Sequence, residues 1–408
     1  MVALVSISDE RKRPKLMTVT HKLRASRRMQ QVQAPIIPTI EDLIRANPGT
    51  ISLGQGVVHY GPPQTVHEAI SRFWDDPLSH LYGPVEGIDP LREALVEKLA
   101  LENGIAAQGR AVVVTAGSNM GFLNVLLAIS DPGDEFILPG PFYFNQEMAV
   151  RIAGCVPVAV PTDVDGQLDL KALESAITPR TRAMVTVSPN NPTGVVYPQA
   201  DLRAVNRLCL EQGIYHISDE AYEYFLYDGV QHFSPGAITD SAQHTICLYS
   251  LSKAYGFASW RIGYASVPES LMGALRKIQD TNVICATVIA QYAAIGALQS
   301  GRDYCTPYVA ELAAVRAQAL DAVESITDKV RLLPGEGAFY LFVEVPGYDD
   351  GDLHLATRLI KEHGVAVIPG SAFGVTDRCT LRVSFGALQS ASAIDGIGRL
   401  MSGLNALA

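Results

Sequence analysis

From about residue 65 to residue 320 the sequence alternates short, β-branched apolar runs with stretches of helical spacing. The runs are AVVVTAG, EFILPG, VPVAVP, RAMVTVS, YHISDEAY, TICLYS and RIGYASV, and helical patterns such as REALVEKLALENG and NMGFLNVLLAIS stand between most of them. The runs are nearly continuous rather than strictly alternating, so both faces of each strand are covered. Strands of that kind joined by helical crossovers specify an α/β chain with a doubly wound, mainly parallel sheet. Ligands of such sheets gather beyond the carboxyl ends of the strands, which directs attention to the residues after each run. Past about residue 320 the pattern changes. VRLLPGEGAFYLFVEV, GVAVIPG and TLRVSFG read as short strands around the amphipathic DLHLATRLIKEHG, as in a smaller α+β domain. The expected organisation is a large domain over 63–320 and a small one over 321–408. Residues 31–62 are too short to fold alone and are expected to pack on the small domain, with 1–30 a disordered extension.

Composition narrows the function. With 48% hydrophobic and 18% charged residues in 408, the chain has material for a large core. A net charge of −10 argues against nucleic acid or an anionic membrane as partner. None of the six cysteines forms a CxxC, and contexts such as HTICLY and NVICAT suit buried, reduced thiols. The nine histidines show no close metal-ligand pairing, so no metal is expected. The apolar stretch VICATVIAQYAAIGAL is broken by Thr287 and Gln291 and suits a core or interface helix rather than a membrane span. The opening MVALVSISDERKRPKLM lacks the apolar centre of a signal peptide, and Asp9 and Glu10 disfavour a transit peptide. A cytoplasmic protein is expected.

The strand ends carry the chemistry. AVVVT runs into AGSN and a helix, where Ser118 and Asn119 would offer N–H groups to an anion; such turns are common and this one says little alone. RAMVTVS is followed by PNNPTG, which places the amide of Asn191 at a turn. Asp219 ends YHISD, where a buried carboxylate is costly unless it meets a cation, and Tyr222 lies one helical turn on. After TICLY comes SLSKAYGFASWRIGY. Its Ser250, Ser252 and Arg261 suit a phosphate, and Lys253 beside them faces a desolvated, cation-rich pocket that makes its neutral amine a nucleophile. A lysine, a carboxylate, a phosphate cradle and donors to a phenolic oxygen are what pyridoxal 5′-phosphate requires. Tyr143, in PGPFYFN, is the candidate for stacking on its ring.

With those residues in place, the chain resembles the class I/II aminotransferases, pyridoxal-phosphate enzymes with the aspartate-aminotransferase-like fold. YGPVEGIDPLREAL, TAGSN, PFYF, NNPTG, DEAY, SLSKAYGFASWRIGY, GAFY and LRVSF occur in the family's order from about residue 35 onward. The resemblance implies a seven-stranded large-domain sheet and a homodimer with shared sites. It makes Lys253 the internal aldimine lysine and Asp219 the partner of the pyridinium nitrogen, with Tyr222 and Asn191 on the phenolic oxygen and Tyr143 stacked on the ring. Ser118, Asn119, Ser250, Ser252 and Arg261 would cradle the phosphate, joined by Tyr82 of the neighbouring subunit. Arg382 would clamp the substrate α-carboxylate, with Asn191 and the backbone of Gly56 close by.

The stretch ISLGQGVVHYGPP departs from the family's commoner acidic, proline-rich form, with Val57, Val58, His59 and Tyr60 in its place. Together with YEYFLYDG and KIQDTNVICATVIAQ it resembles the plant and cyanobacterial branch that handles aromatic amino acids and methionine. His59 and Tyr60 are expected near the substrate side chain. Other readings stay open: aspartate, alanine or kynurenine specificity, or a cysteine-conjugate β-lyase or ring-closing reaction on the same scaffold. An aminotransferase-like transcription regulator needs a DNA-binding module of some 60 residues, for which about 35 residues leave no room.

Overall fold

The computed structural model describes residues 23–333 and 335–407. The extension expected at 1–30 lies outside the described residues as far as 22; beyond it a short helix, Arg27–Gln31, is capped by Ser26. All seven apolar runs are strands of one sheet: β1 (Arg110–Thr115), β2 (Glu135–Gly140), β3 (Val156–Pro161), β4 (Thr181–Val187), β5 (Tyr215–Asp219), β6 (Thr245–Ser250) and β7 (Gly263–Pro268). Their order across the sheet is β1-β7-β6-β5-β4-β2-β3. The four pairs from β6 to β3 are parallel, whereas β7 runs antiparallel to both β6 and β1. The sheet is therefore mixed, with β7 alone reversed.

Helices cover both faces, which is why the strands carry so little polar sequence. Phe136, Ile137 and Leu138 of β2 are essentially inaccessible, and they face two different clusters: Phe136 and Leu138 meet Phe122, Val125 and Leu126, while Ile137 meets Leu202 and Val205. Burying a side chain of that size contributes about 1.5–3 kcal/mol. The stretch suspected of being a core helix is Val288–Ser300, packed on Thr65–Asp75.

The smaller sheet has the order Ile368–Pro369, Thr380–Ser384, Tyr340–Glu344, Arg331–Leu332, all antiparallel. Its core joins Phe339, Leu341, Leu381 and Val383 to Leu312, Val315, Ala319 and Val323 of the helix Thr306–Glu324. Residue 320 thus falls inside a helix that packs with the small domain. The N-terminal segment contributes Ile51–Ser52, paired in parallel with Val365–Ala366, and Ile40, which packs among Phe342, Ile360 and Ile368. These contacts carry the chain from residue 53 onward across the strand ends of the large sheet.

Candidate active site

The carboxyl ends of β1, β2, β4, β5 and β6 share one edge of the sheet, and β7, running the other way, starts there. One cavity at that edge is lined by Ser118, Asn119, Tyr143, Asn191, Asp219, Tyr222, Ser250, Ser252, Lys253 and Arg261, together with Val187 and Ala221. The ten polar side chains come from five separate connections, which the sheet topology brings to one edge.

The anion end is built around Gly117. It precedes the helix Ser118–Ile129 at φ +81°, and no side chain caps that helix. The first N–H groups, with the positive end of the helix dipole, are left for an anion. A Cβ at Gly117 would fall 2.2 Å from Arg261 Nη2, so a glycine is required for the guanidinium to lie against the turn. Arg261 itself adopts φ +52°, a left-handed conformation unusual for a side-chain-bearing residue, and Nη1 donates to the Ala258 carbonyl at 2.9 Å. Ser250 Oγ accepts from the N–H of Ser252 at 3.2 Å, which opens the short helix Leu251–Ala254 and turns Lys253 inward.

Lys253 Nζ donates to the Gly56 carbonyl at 2.5 Å. Burial, then the nearby Arg382 and Arg261, lower its pKa to about 8 against the pull of Asp219. Burial pushes Asp219 up to about 6, opposed by donation from the Ala221 N–H at 3.3 Å and Gln146 Nε2 at 2.9 Å. Two oppositely shifted groups on one cavity are the signature of acid–base chemistry. Tyr222 Oη lies 2.7 Å from Tyr340 Oη and accepts from Asn191 Nδ2 at 3.4 Å; burial raises the pKa of both phenols. Tyr143 Oη accepts from Asn145 Nδ2 at 2.7 Å and Asn119 Nδ2 at 3.5 Å.

Arg382 enters from the middle of the small sheet. Nη1 donates to Asn191 Oδ1 at 3.0 Å and Nη2 to the Gly54 carbonyl at 2.6 Å. The guanidinium sits over the rings of Tyr340 (4.6 Å) and Phe373 (5.0 Å). Nε is buried and has no hydrogen-bond partner among the described residues. A buried donor without an acceptor costs about 1–3 kcal/mol, which a carboxylate ligand would recover. At Gly56 a Cβ would meet Tyr340 Oη at 2.6 Å, so the backbone approaches the site closely there.

Three candidates lie outside this cluster. Tyr82 is 81% exposed, beside Leu81 and a groove lined by Phe73, Cys285 and Val288. His59 Nε2 is 3.4 Å from Glu311, and Tyr60 is stacked on Tyr308; neither lines the cavity. Conversely, Gln146 and Tyr340 hold Asp219 and Tyr222 without having been singled out. GAFY pointed at Tyr340, and Gln146 follows Tyr143 by one helical turn. Glu220, Glu223 and His232 also come together with metal-ligand spacing. Lys98 and Asn103 engage Glu223, while Ser234 and His232 engage Glu220.

The residues present fit pyridoxal phosphate: an amine with a lowered pKa, a carboxylate across the cavity from it, and a helix N-terminus with an arginine at one end. Such a site at the strand ends of such a sheet defines a pyridoxal-phosphate enzyme. The family described as aminotransferase class I and II matches residues 48–397, and the chain belongs to it. It is 36% identical over 390 residues to the aromatic aminotransferase ISS1 of Arabidopsis thaliana, covering 94% of this chain and 96% of that one. It is 35% identical to a probable aspartate/prephenate aminotransferase of Aquifex aeolicus, covering 87% and 91%. Among solved structures, the aspartate aminotransferase from Thermus thermophilus with maleate superposes with a TM-score of 0.85 at 32% identity, covering 94% and 100%.

Proposed function

We propose that this transaminase moves an amino group between an aromatic amino acid or methionine and a 2-oxo acid, in a ping-pong cycle centred on Lys253. The observation that carries the reaction is Lys253 itself, a buried amine held toward neutrality and facing Asp219 across one cavity. Pyridoxal phosphate, when bound, supplies an aldehyde carbon for amines and a ring that takes up the electrons released as the substrate Cα loses its proton. Ser118, Asn119, Ser250, Ser252 and Arg261 would hold its phosphate, and Tyr143 would cover its ring. Asp219 would hold a proton at the ring nitrogen. Asn191 and Tyr222 would donate to the phenolic oxygen, and Arg382 would orient the substrate carboxylate through its free Nε. Lys253, released from the Gly56 carbonyl, would carry the proton from Cα.

The aromatic and methionine preference rests on the chain's own residues, because the named relatives divide between aromatic and aspartate/prephenate enzymes. What supports it is Val57, Val58, His59 and Tyr60 in place of the family's commoner acidic, proline-rich form, and an aromatic aminotransferase among the relatives. The test is spectroscopic. The holoenzyme is mixed separately with methionine, phenylalanine and aspartate, with Lys253→Ala alongside. Conversion of the cofactor band by the first two and hardly by aspartate is expected, with no such band in the variant. Equal conversion by aspartate would sink the specificity; a band that survives in Lys253→Ala would sink the assignment of the lysine.

A further inference from the structure

The segment from Gly56 to Gly61 touches the lysine segment at three points. The Gly56 carbonyl accepts from Lys253 Nζ. Tyr60 Oη lies 3.2 Å from the carbonyl oxygen of Lys253 and 3.3 Å from that of Ala254, the last two residues of the helix Leu251–Ala254. Gly256, at φ +67°, is pressed against the same segment: a Cβ there would fall 2.5 Å from the Tyr60 carbonyl oxygen. The segment is in turn fixed from its far side. Tyr304 Oη donates to the Gly61 carbonyl at 2.5 Å, and the Tyr60 ring stacks on Tyr308 with centroids 3.9 Å apart and planes at 12°. His59 Nε2 faces Glu311, which also accepts from Ser390 Oγ.

A phenylalanine at position 60 would fill the same space and stack equally well. Only the hydroxyl reaches the helix end, where, among the described residues, the Lys253 carbonyl otherwise meets only the N–H groups of Tyr255 and, at 3.4 Å, Gly256. We infer that Tyr60 is a positioning residue for Lys253: its hydroxyl ties the end of the lysine helix to a strap whose Gly56 carbonyl holds the amine. This rests on the reading of Lys253 as the reactive amine. It also moves Tyr60 from the substrate side chain, where the sequence suggested it, to the lysine.

The consequence lies in the proton on Nζ. Arg382 and Arg261 repel that proton and Asp219 attracts it, and burial disfavours it further. Around Tyr60 the titratable neighbours are Cys305, Tyr304, Tyr227 and Tyr308, with His59 at the ring edge. Burial raises the pKa of Cys305, Tyr304 and Tyr227, which keeps them neutral, and His59 is turned toward Glu311. With the hydroxyl gone, the helix end loosens, Nζ gains water and distance from the arginines, and the nitrogen keeps its proton to higher pH.

Tyr60→Phe tests this on the holoenzyme. The cofactor absorption band is titrated with pH, kcat and KM for phenylalanine are measured, and thermal unfolding is followed. The midpoint of the titration should rise by about half a pH unit. Turnover should fall about tenfold, as expected of a small misplacement, with KM nearly unchanged. An unmoved midpoint overturns the inference, even if the melting temperature drops, because the hydroxyl would then serve packing alone. A change confined to KM overturns it in favour of a substrate contact. Lys253→Ala separates the two levels. A band retained there removes the reading of Lys253 and this role with it; a band lost there, with an unmoved Tyr60→Phe midpoint, removes this role alone.

Discussion

At the scale of single residues, the site works by moving two groups away from their ordinary protonation. Burial does most of this for both Asp219 and Lys253, and the surrounding arginines add to it for the lysine. Asp219→Asn keeps the shape but cannot hold a proton at the ring nitrogen, so turnover should drop by about 10²–10³-fold with cofactor still bound. Retention of more than a tenth of the activity would show the carboxylate to be structural. Arg382→Lys keeps the charge but loses the fork that serves Asn191, Gly54 and the free Nε together. Its kcat/KM should fall about 10- to 100-fold, mainly through KM. An unchanged KM would mean that the substrate carboxylate docks elsewhere. Asp219 and Lys253 were nominated because each stands at or just after a strand-like run in a motif, whereas Arg382, inside the run TLRVSFG, was nominated by the resemblance alone. Gln146 and Tyr340 were harder to see, because a residue that acts by hydrogen-bonding another functional residue leaves no pattern of its own.

At the scale of elements, the sheet is pinned on one side of β5 by a buried polar network. His216 Nδ1 accepts from Asn206 Nδ2 at 3.1 Å, and Nε2 lies 2.9 Å from Thr186 Oγ1; Asn206 also donates to Thr245 Oγ1 at 2.7 Å. Burial, and then His244, drive the His216 pKa down to about 3. The folded state therefore holds the neutral ring, while the unfolded chain takes up a proton near pH 6.5. Stability from this group is complete above that value and is lost as pH falls from about 6.5 toward 3, at up to about 1.4 kcal/mol per pH unit. Urea denaturation between pH 7 and 5 measures it, and His216→Asn should flatten that limb. A wild-type profile with no slope there would exclude the mechanism. Six of the seven large-sheet strands were readable because strands largely buried on both faces leave continuous apolar runs; Val156–Pro161, at the sheet edge and mostly accessible, was readable from its valines alone. The edges of the small domain were not: helix Thr306–Glu324 crosses the expected boundary at 320, and local periodicity does not say which core a helix joins.

At the scale of the whole molecule, Tyr82 lies outside its own chain's cavity and is expected to serve that of a neighbouring subunit. Trp74, Leu78 and Leu81, close to it in sequence, are likewise exposed, and exposed apolar side chains gathered in one patch mark an association surface. We expect a homodimer in which this patch meets a second copy and Tyr82 reaches the neighbour's phosphate. Light scattering should give twice the 43.9 kDa chain mass, and mixing Tyr82→Ala with Lys253→Ala chains should restore part of the activity that each lacks. A monomeric mass at micromolar concentration would overturn this. The sequence by itself determined the strand runs, the turns after them and the residue types at each turn, because burial on both faces and the demands of a phosphate, an aldehyde and a carboxylate restrict local composition. Only the tertiary structure decided which of those turns share a cavity, that Arg382 from the small sheet reaches Asn191 from the large one, and that Tyr60 packs behind Lys253. Those facts depend on strand order and on how two domains meet, and contacts between residues 190 or more positions apart leave no trace in local spacing.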